Sequence, residues 1–223
     1  MTRLLIAAAV FLATHCVTST PLRARLVRLL GANGYLLLYS AIAFATLAGM
    51  VWAYYRAPFI GLWHVPALRY APLLVMPVAM VLLTCGLLTR NPTLVGAERL
   101  LRGAEPARGI LRVTRHPVMW GIALWAASHI AARGDAAAIV FFGSMLALAL
   151  TGTVLIDRRK RAVLGPEWTR YEAATSNVPL AAIVTGANRF STHEIGWMRL
   201  VVGLSLYALV LWAHPTLFGS PPY

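Results

Sequence analysis

The stretch RVTRHPVMWGIALWAASHIAARGD, residues 112–135, contains an apolar run of nearly membrane-spanning length, with one histidine at its mouth and a second inside it. A helix that crosses the hydrocarbon core of a bilayer needs about 20 apolar residues. An ionisable side chain in that core costs free energy unless it is paired, and it therefore suggests a functional site. His129 is such a side chain, and its partner must come from another part of the chain.

Composition places the whole chain among polytopic membrane proteins. Of its 223 residues, 59% are hydrophobic and 12% are charged, and the mean hydropathy is +0.70. Soluble domains carry about 25% charged residues. The apolar runs predict an all-α fold with six transmembrane helices, at about 4–20, 34–55, 70–89, 116–132, 136–156 and 196–214. No internal repeat or long linker divides the sequence, so a single integral-membrane domain is expected over residues 1–223.

Two prolines, Pro72 and Pro77, lie inside the third predicted helix. A proline has no N–H, so the carbonyl four residues before it loses its helical donor. Backbone polar groups must be satisfied within the protein when they lie in lipid. A neighbouring helix is therefore expected to supply a donor.

The basic residues indicate the orientation in the membrane. Sixteen of the 20 Lys and Arg residues fall in the segments 21–33, 90–115 and 157–199. The remaining four are Arg3, Arg56, Arg69 and Arg133. The two groups alternate across the six predicted helices, which is the positive-inside pattern. It predicts an inner-membrane protein with both termini in the periplasm. The net charge of +13 is then expected to meet anionic lipid headgroups rather than nucleic acid.

The N-terminal region invites comparison with a secretory signal peptide, because Arg3 precedes an apolar run. No small-residue cleavage site of the A-x-A type follows, so the run is expected to remain as the first helix. The next segment, PLRARLVRLL at 21–30, is predicted to be a basic amphipathic helix on the membrane surface.

The polar segment DRRKRAVLGPEWTRYEAATSNVPLAAIVTGANRF, residues 157–190, is too long for a simple connection. Pro166 suits the first turn of a helix, and the Glu167 carboxylate suits its positive end. Trp168 and Tyr171 are amphipathic aromatics typical of the headgroup boundary. The segment is predicted to form a cytoplasmic amphipathic cap before the last helix. Its composition fits a solvated surface as well as a binding role.

The histidines separate by predicted depth, and two of them, His15 and His129, lie inside predicted membrane helices. A lone intramembrane histidine is commonly a packing residue, whereas two on different helices favour a shared ligand. Neutral imidazole is the commonest protein ligand for metals and also binds haem iron. The other histidines are expected at aqueous or interfacial positions: His64, His116, His193 and His214.

Three residues share a helix face with His129, namely Gly121, Trp125 and Ala126, which lie eight, four and three residues before it. Small residues there would let a flat ring approach the backbone. His15 is predicted nearer the cytoplasmic side than His129, by ~10 Å at 1.5 Å per residue. A tilted macrocycle or a longer first helix could absorb that difference.

Four motifs together resemble the NnrU family of bacterial membrane proteins and its plant and cyanobacterial relative, 15-cis-zeta-carotene isomerase. They are THC at 14–16, the stretch 112–135, the segment 156–186 and WAHPTLF at 212–218. The resemblance implies a fold of about six membrane helices. Its carotenoid branch further implies haem b ligated by His15 and His129, and redox-regulated isomerisation of the central cis double bond of an apolar polyene.

The sequence departs from the plant isomerase at Ala126, where that enzyme has a cysteine able to act as an alternative haem ligand. A ligand switch of that kind is therefore not expected. NnrU proteins are also associated with nitrite and nitric oxide metabolism in denitrifying bacteria. That association implies an alternative function, as a non-catalytic membrane factor.

A second resemblance competes with the first. RHPVMWG and LGPEWTRYEAATSNVPL are similar to motifs of the isoprenylcysteine carboxyl methyltransferases, which would imply S-adenosylmethionine bound at the cytoplasmic face. Met119 stands where a tyrosine is usual, and Asp157 begins a pair in which two glutamates are expected. This resemblance leaves the two intramembrane histidines unexplained. The motif residues that it singles out are Arg115, His116, Pro117, Asp157, Glu167 and Tyr171.

Overall fold

The computed structural model describes residues 1–93, 97–103 and 107–221. In these residues all of the regular secondary structure is helical, apart from one isolated bridge between Gly61 and Asp135. The ten α-helices described are α1 Thr2–Cys16, α2 Pro21–Tyr55, α3 Ala71–Leu88, α4 Ile110–Val113, α5 Pro117–Arg133, α6 Ala136–Leu164, α7 Pro166–Ala173, α8 Ala181–Val184, α9 Thr192–Ile195 and α10 Trp197–Phe218.

Among the described residues, four helices are long and apolar enough to cross a membrane: α2, α3 with its preceding 3-10 turn, α6 and α10. The other two hydrophobic helices are shorter, with 15 residues in α1 and 17 in α5. All six hydrophobic helices occur where the sequence predicts them. The prediction of an all-helical polytopic membrane protein is confirmed, and complete spanning by α1 and α5 stays a prediction.

Helix α2 consists of two helical segments joined at Gly31, whose backbone angles of φ 72° and ψ 168° break the helix. Glycine adopts such angles without steric penalty. The kink separates the basic segment 21–30 from the apolar segment 32–55. The basic segment is thus the first part of α2. The kink lets this segment run in a different direction from the apolar segment, as its predicted position on the membrane surface requires.

Helix α5 occupies the middle of the bundle, packed between α3 and α6. Helices α1 and α2 pack on each other and on α6, and α10 packs on α3. We refer to the end of the bundle where α5 begins and α6 ends as the basic end. One buried group, the central apolar cluster, joins α1, α2, α5 and α6; it comprises Leu4, Ala8, Phe11, Met50, Ala53, Ala126, Ala137, Ala138, Phe141 and Phe142.

The two prolines of α3 are accommodated in different ways. Pro72 stands in the first turn, where its missing N–H is harmless. Pro77 lies in the helix interior and leaves the Leu73 carbonyl without a backbone donor. The Tyr207 hydroxyl of α10 donates to that carbonyl at 3.3 Å. The expected donor from a neighbouring helix is therefore confirmed for Pro77.

We expect Tyr207→Phe to destabilise the fold by about 1 kcal/mol, because the Leu73 carbonyl then loses its donor. In a Pro77→Ala background the alanine N–H can bond that carbonyl, so Tyr207→Phe should have little effect there. Denaturant titration of the four purified proteins in detergent measures both differences. Equal destabilisation in the two backgrounds would show that the hydroxyl does not act through this carbonyl.

Candidate functional site

His129 lies half-buried on α5, four residues before the helix ends. Its Nδ1 is 2.8 Å from the Trp125 carbonyl oxygen. A carbonyl can only accept a hydrogen bond, so Nδ1 carries the proton, and the neutral ring keeps its lone pair on Nε2. The imidazole centroid lies 5.1 Å from that of Phe142 on α6. His129 therefore borders the central apolar cluster.

His15 lies half-buried in the last turn of α1 and repeats this arrangement. Its Nδ1 is 2.7 Å from the Phe11 carbonyl oxygen, which again places the proton on Nδ1. Its ring centroid lies 4.2 Å from that of Phe11 and 5.9 Å from that of Tyr39 on α2. Through Phe11, His15 also borders the central apolar cluster.

The two histidines thus share one hydrogen-bonding state. In each, Nδ1–H donates to the carbonyl four residues earlier, and Nε2 has no hydrogen-bond partner in the described part of the chain. Metal-ligating histidines are usually held in this way, with one ring nitrogen donating to a carbonyl or carboxylate and the other on the metal. Both imidazoles therefore fit ligation of a metal ion or haem iron through Nε2.

His15 lies closer to the basic end than His129. The Thr18 carbonyl, just after His15, accepts a hydrogen bond from Arg159 of α6 at 3.4 Å, whereas His129 packs on Phe142, more than four turns earlier in α6. At 1.5 Å rise per residue, and after allowance for the reach of the arginine, the two Cα levels differ by roughly 15 Å. This exceeds the ~10 Å expected from the sequence.

The tilt of the two histidine side chains along the bundle axis reduces the difference in depth between their rings. Side chains on a helix tilt toward its N-terminus. Helix α5 runs away from the basic end, because His116 at its start bonds Asp157 near the end of α6, and α1 runs toward that end. No ring contact joins the two imidazoles in the described structure. His15 and His129 face the central apolar cluster from its two ends.

The residues predicted to accompany His129 have different surroundings. Trp125 packs on Phe142 at 5.1 Å between centroids, and Ala126 is fully buried in the central apolar cluster. Gly121 instead faces α3, where an added Cβ would lie 2.6 Å from the Leu83 side chain. Close approach of α3 and α5 accounts for this glycine, and α3 fills the space that a flat ring would need.

The predicted cytoplasmic motif folds into a buried ion-pair cluster. Arg115 donates to Asp157 Oδ2 from Nε and Nη2, at 3.0 and 2.8 Å, and His116 Nε2 lies 2.7 Å from Oδ1 of the same carboxylate. Arg115 also donates to the Thr175 carbonyl at 3.2 Å and reaches Glu172 at 3.4 Å. Through Arg115, the cluster joins the start of α5, the C-terminal part of α6 and the segment that includes α7.

The burial of this ion-pair cluster bears on the methyl-transfer interpretation. Arg115 and His116, which that interpretation would place against S-adenosylmethionine, are buried and are engaged by Asp157. Tyr171 is also fully buried, its ring 5.3 Å from that of Trp168, and burial raises the pKa of its phenol.

The two remaining motif residues also have structural positions. Pro117 is buried in the first turn of α5, and Glu167 lies in the first turn of α7, as predicted. The structure thus brings Arg115, His116 and Asp157 of the motif together, where they connect α5, α6 and the segment that includes α7.

Sequence reasoning assigned no functional place to His214, which lies near the C-terminal end of α10. His214 Nδ1 lies 2.8 Å from the Ser220 carbonyl oxygen.

Comparison with known proteins gives a family and two relatives. The family model described as NnrU protein matches residues 3–222. Over 115 residues the chain is 29% identical to the chloroplastic 15-cis-zeta-carotene isomerase of Zea mays and 30% identical to that of Arabidopsis thaliana. Each match covers 50% of this chain and 31% of the relative, so about a third of the relatives' length is represented. No solved structure matches the chain.

Proposed function

Because this chain belongs to the NnrU family, we propose that it is a haem-binding membrane protein that isomerises a cis double bond of an apolar polyene. The observation that carries the proposal is the shared state of His15 and His129, each with Nδ1 held by a backbone carbonyl and Nε2 available. The two similar plant proteins are carotene isomerases by name, and this supports the substrate class.

His15 and His129 would hold haem b through their imidazoles. The bound haem would supply a redox-active iron that can donate electron density to a polyene. The chain has no C-x-x-C-H motif, so attachment would be non-covalent. The Phe11 and Trp125 carbonyls fix both ring tautomers, which keeps each Nε2 unprotonated and directed away from its own helix.

The central apolar cluster determines what reaches these histidines. Its aromatic side chains include Phe11, Phe141 and Phe142, so the surface beside the two imidazoles is apolar. A polyene is soluble in lipid and would enter from the membrane between the helices. Trp125 and Ala126 form the wall beside His129, and position 126 lacks the cysteine that could act as an alternative haem ligand.

Catalysis is tested with protein reconstituted into liposomes that contain a 15-cis carotene. We expect the haem-loaded, reduced protein to convert it to the trans isomer, because reduced haem iron can donate electron density to the polyene. Haem-free protein should leave the carotene unconverted, and haem-loaded His64→Ala, changed at an exposed position, should convert it. Chromatography with absorbance detection follows the isomers. A haem-loaded protein that leaves the carotene unchanged would rule out the isomerase activity.

We also propose that the basic end faces the cytoplasm of the inner membrane and that both termini face the periplasm. The opposite end carries Arg133 and the connection 56–69. The Trp63 indole N–H of this connection donates to the Ala131 carbonyl of α5 at 3.1 Å. Alkaline phosphatase fused after Tyr223 should therefore be active, and a fusion near Asn177 should be inactive. The reverse pattern of activities would invert the proposed orientation.

A further inference from the structure

The connection 56–69, which links α2 to α3, is fixed to the turn between α5 and α6. The backbone N–H groups of Leu62 and Trp63 both donate to the Gly134 carbonyl, at 2.8 and 3.1 Å. Gly134 has φ 60°, and a Cβ added there would overlap the Trp63 carbonyl oxygen. The backbone of the connection is therefore held closely against the end of the bundle opposite the basic end.

Although its backbone is held in place, the connection presents apolar side chains that the described part of the chain does not cover. Phe59 is 74% exposed and Leu62 is 54% exposed, and Ile60 and Val65 are exposed as well. Proteins in water rarely expose large contiguous apolar patches, and such patches mark contact with a membrane or with another protein. A partner is therefore required to cover these side chains.

The exposed apolar surface of the connection continues that of the helices on either side. Trp52 and Tyr55 are exposed in the last turn of α2, and Leu74 is exposed in the first turn of α3. The hydrophobic span that contains α3 begins at Pro66, within the connection itself. Because lipid surrounds α2 and α3, lipid is also the partner nearest to the apolar side chains of the connection.

Two arginines bracket this surface, and each contacts an aromatic ring. The Arg56 guanidinium lies over the exposed Trp52 ring, 4.6 Å from its centroid. The Arg69 guanidinium lies 4.7 Å from the centroid of the Tyr70 ring and donates to the Tyr70 hydroxyl at 2.7 Å. Tryptophan and tyrosine are typical of the membrane–water interface, and arginine forms charge-assisted hydrogen bonds with phosphate. This combination favours the headgroup region of a bilayer over the surface of another protein.

We propose that the connection 56–69 is embedded in the headgroup region of the leaflet opposite the basic end. Phe59 and Leu62 reach below the lipid phosphates into hydrocarbon, and Arg56 and Arg69 lie at the level of the phosphates. Haem plays no part in this contact.

The embedded connection sets the depth of α5, the helix that carries His129. The Trp63 indole N–H donates to the Ala131 carbonyl, two residues beyond His129. Helix α5 has 17 residues, somewhat fewer than the ~20 that cross the hydrocarbon core of a bilayer. A connection anchored in lipid at the end of α5 covers that end and holds this short helix at a constant depth.

Spin labelling of the protein in liposomes of phosphatidylcholine and phosphatidylglycerol measures this depth. Single cysteines are introduced into Cys16→Ala protein and labelled with a nitroxide, and Cys16→Ala alone verifies that the buried Cys85 takes up no label. Power-saturation EPR compares collisions of the label with oxygen, which concentrates in hydrocarbon, and with a nickel chelate, which stays in water. Size-exclusion chromatography in detergent verifies that each labelled variant is folded.

We expect the ratio of oxygen to nickel accessibility at Phe59→Cys and Leu62→Cys to exceed that at His193→Cys several-fold. His193 is an exposed polar residue and serves as the reference for water. Phe44, exposed in the apolar segment of α2, is the reference for hydrocarbon, and Phe44→Cys should give a ratio close to that of the two test positions. Arg56→Cys should give an intermediate ratio, because it marks the level of the phosphates.

Two results would overturn the proposal. Ratios at Phe59→Cys and Leu62→Cys equal to that at His193→Cys would place the connection in water. Low accessibility to both reagents would show that protein covers the connection instead of lipid, and dipolar broadening between labels would identify that protein as a second copy of this chain.

Discussion

Asp157→Ala is expected to destabilise the folded protein by about 3–5 kcal/mol, the usual effect of removing one partner from a buried ion pair. The substitution leaves the Arg115 guanidinium buried without its main counter-ion, and His116 Nε2 loses the carboxylate at 2.7 Å. Asp157→Asn should be milder, because the amide oxygen can still accept one of these bonds. Denaturant titration in detergent measures the free energy of unfolding.

The matched control for Asp157 is Arg161→Ala. The Arg161 side chain is 55% exposed, and its ion pair with Glu172 lies at the surface of the same region. Exposed pairs contribute about 0–1 kcal/mol, so this variant should unfold near wild type. If Asp157→Ala were no more destabilising than Arg161→Ala, the buried cluster would not be what holds the ends of α5, α6 and α7 together.

The fold was predictable from the sequence where the signal is local. Apolar runs located the six hydrophobic helices, since each helix in lipid needs its own long apolar segment. Proline chemistry predicted a donor for the freed carbonyl, and Tyr207 supplies it at Leu73. The continuity of the basic segment with α2 was not predicted, because only the backbone shows that the chain remains helical on both sides of Gly31.

The candidate site was predictable only in part, because it depends on how helices pack. The sequence singled out His15 and His129, but it could not show that each donates Nδ1–H to its own helix. Gly121 shares a helix face with His129 by spacing, yet α3 occupies that position. The partner of Arg115 and His116 was hidden as well, because Asp157 lies about 40 residues away along the chain.

His15→Ala and His129→Ala are each expected to convert a low-spin haem protein into a five-coordinate high-spin form, or to release the haem. Each substitution removes one neutral imidazole, and no cysteine stands at position 126 to replace the second. Absorption spectra and the haem-to-protein ratio measure both effects. His64→Ala and His193→Ala change exposed histidines and should leave the spectrum unaltered.

Retention of a low-spin spectrum in either His15→Ala or His129→Ala would show that another side chain holds the iron. His214 is the first residue to test in that event, because its Nδ1 also lies within hydrogen-bond distance of a backbone carbonyl oxygen, at 2.8 Å from that of Ser220. A spectrum lost in His129→Ala and in His214→Ala, but kept in His15→Ala, would move the ligand pair to the outer end of the bundle.

The most direct test of haem binding is the absorption spectrum of wild-type protein purified in detergent from haem-replete cells, first oxidised and then reduced. We predict about one non-covalent haem b per chain, low-spin when both imidazoles are bound. S-adenosylmethionine should give no thermal stabilisation, although a true ligand at 100 times its Kd would contribute about 2.7 kcal/mol. A haem-free preparation that S-adenosylmethionine clearly stabilises would contradict the haem assignment and favour methyl transfer.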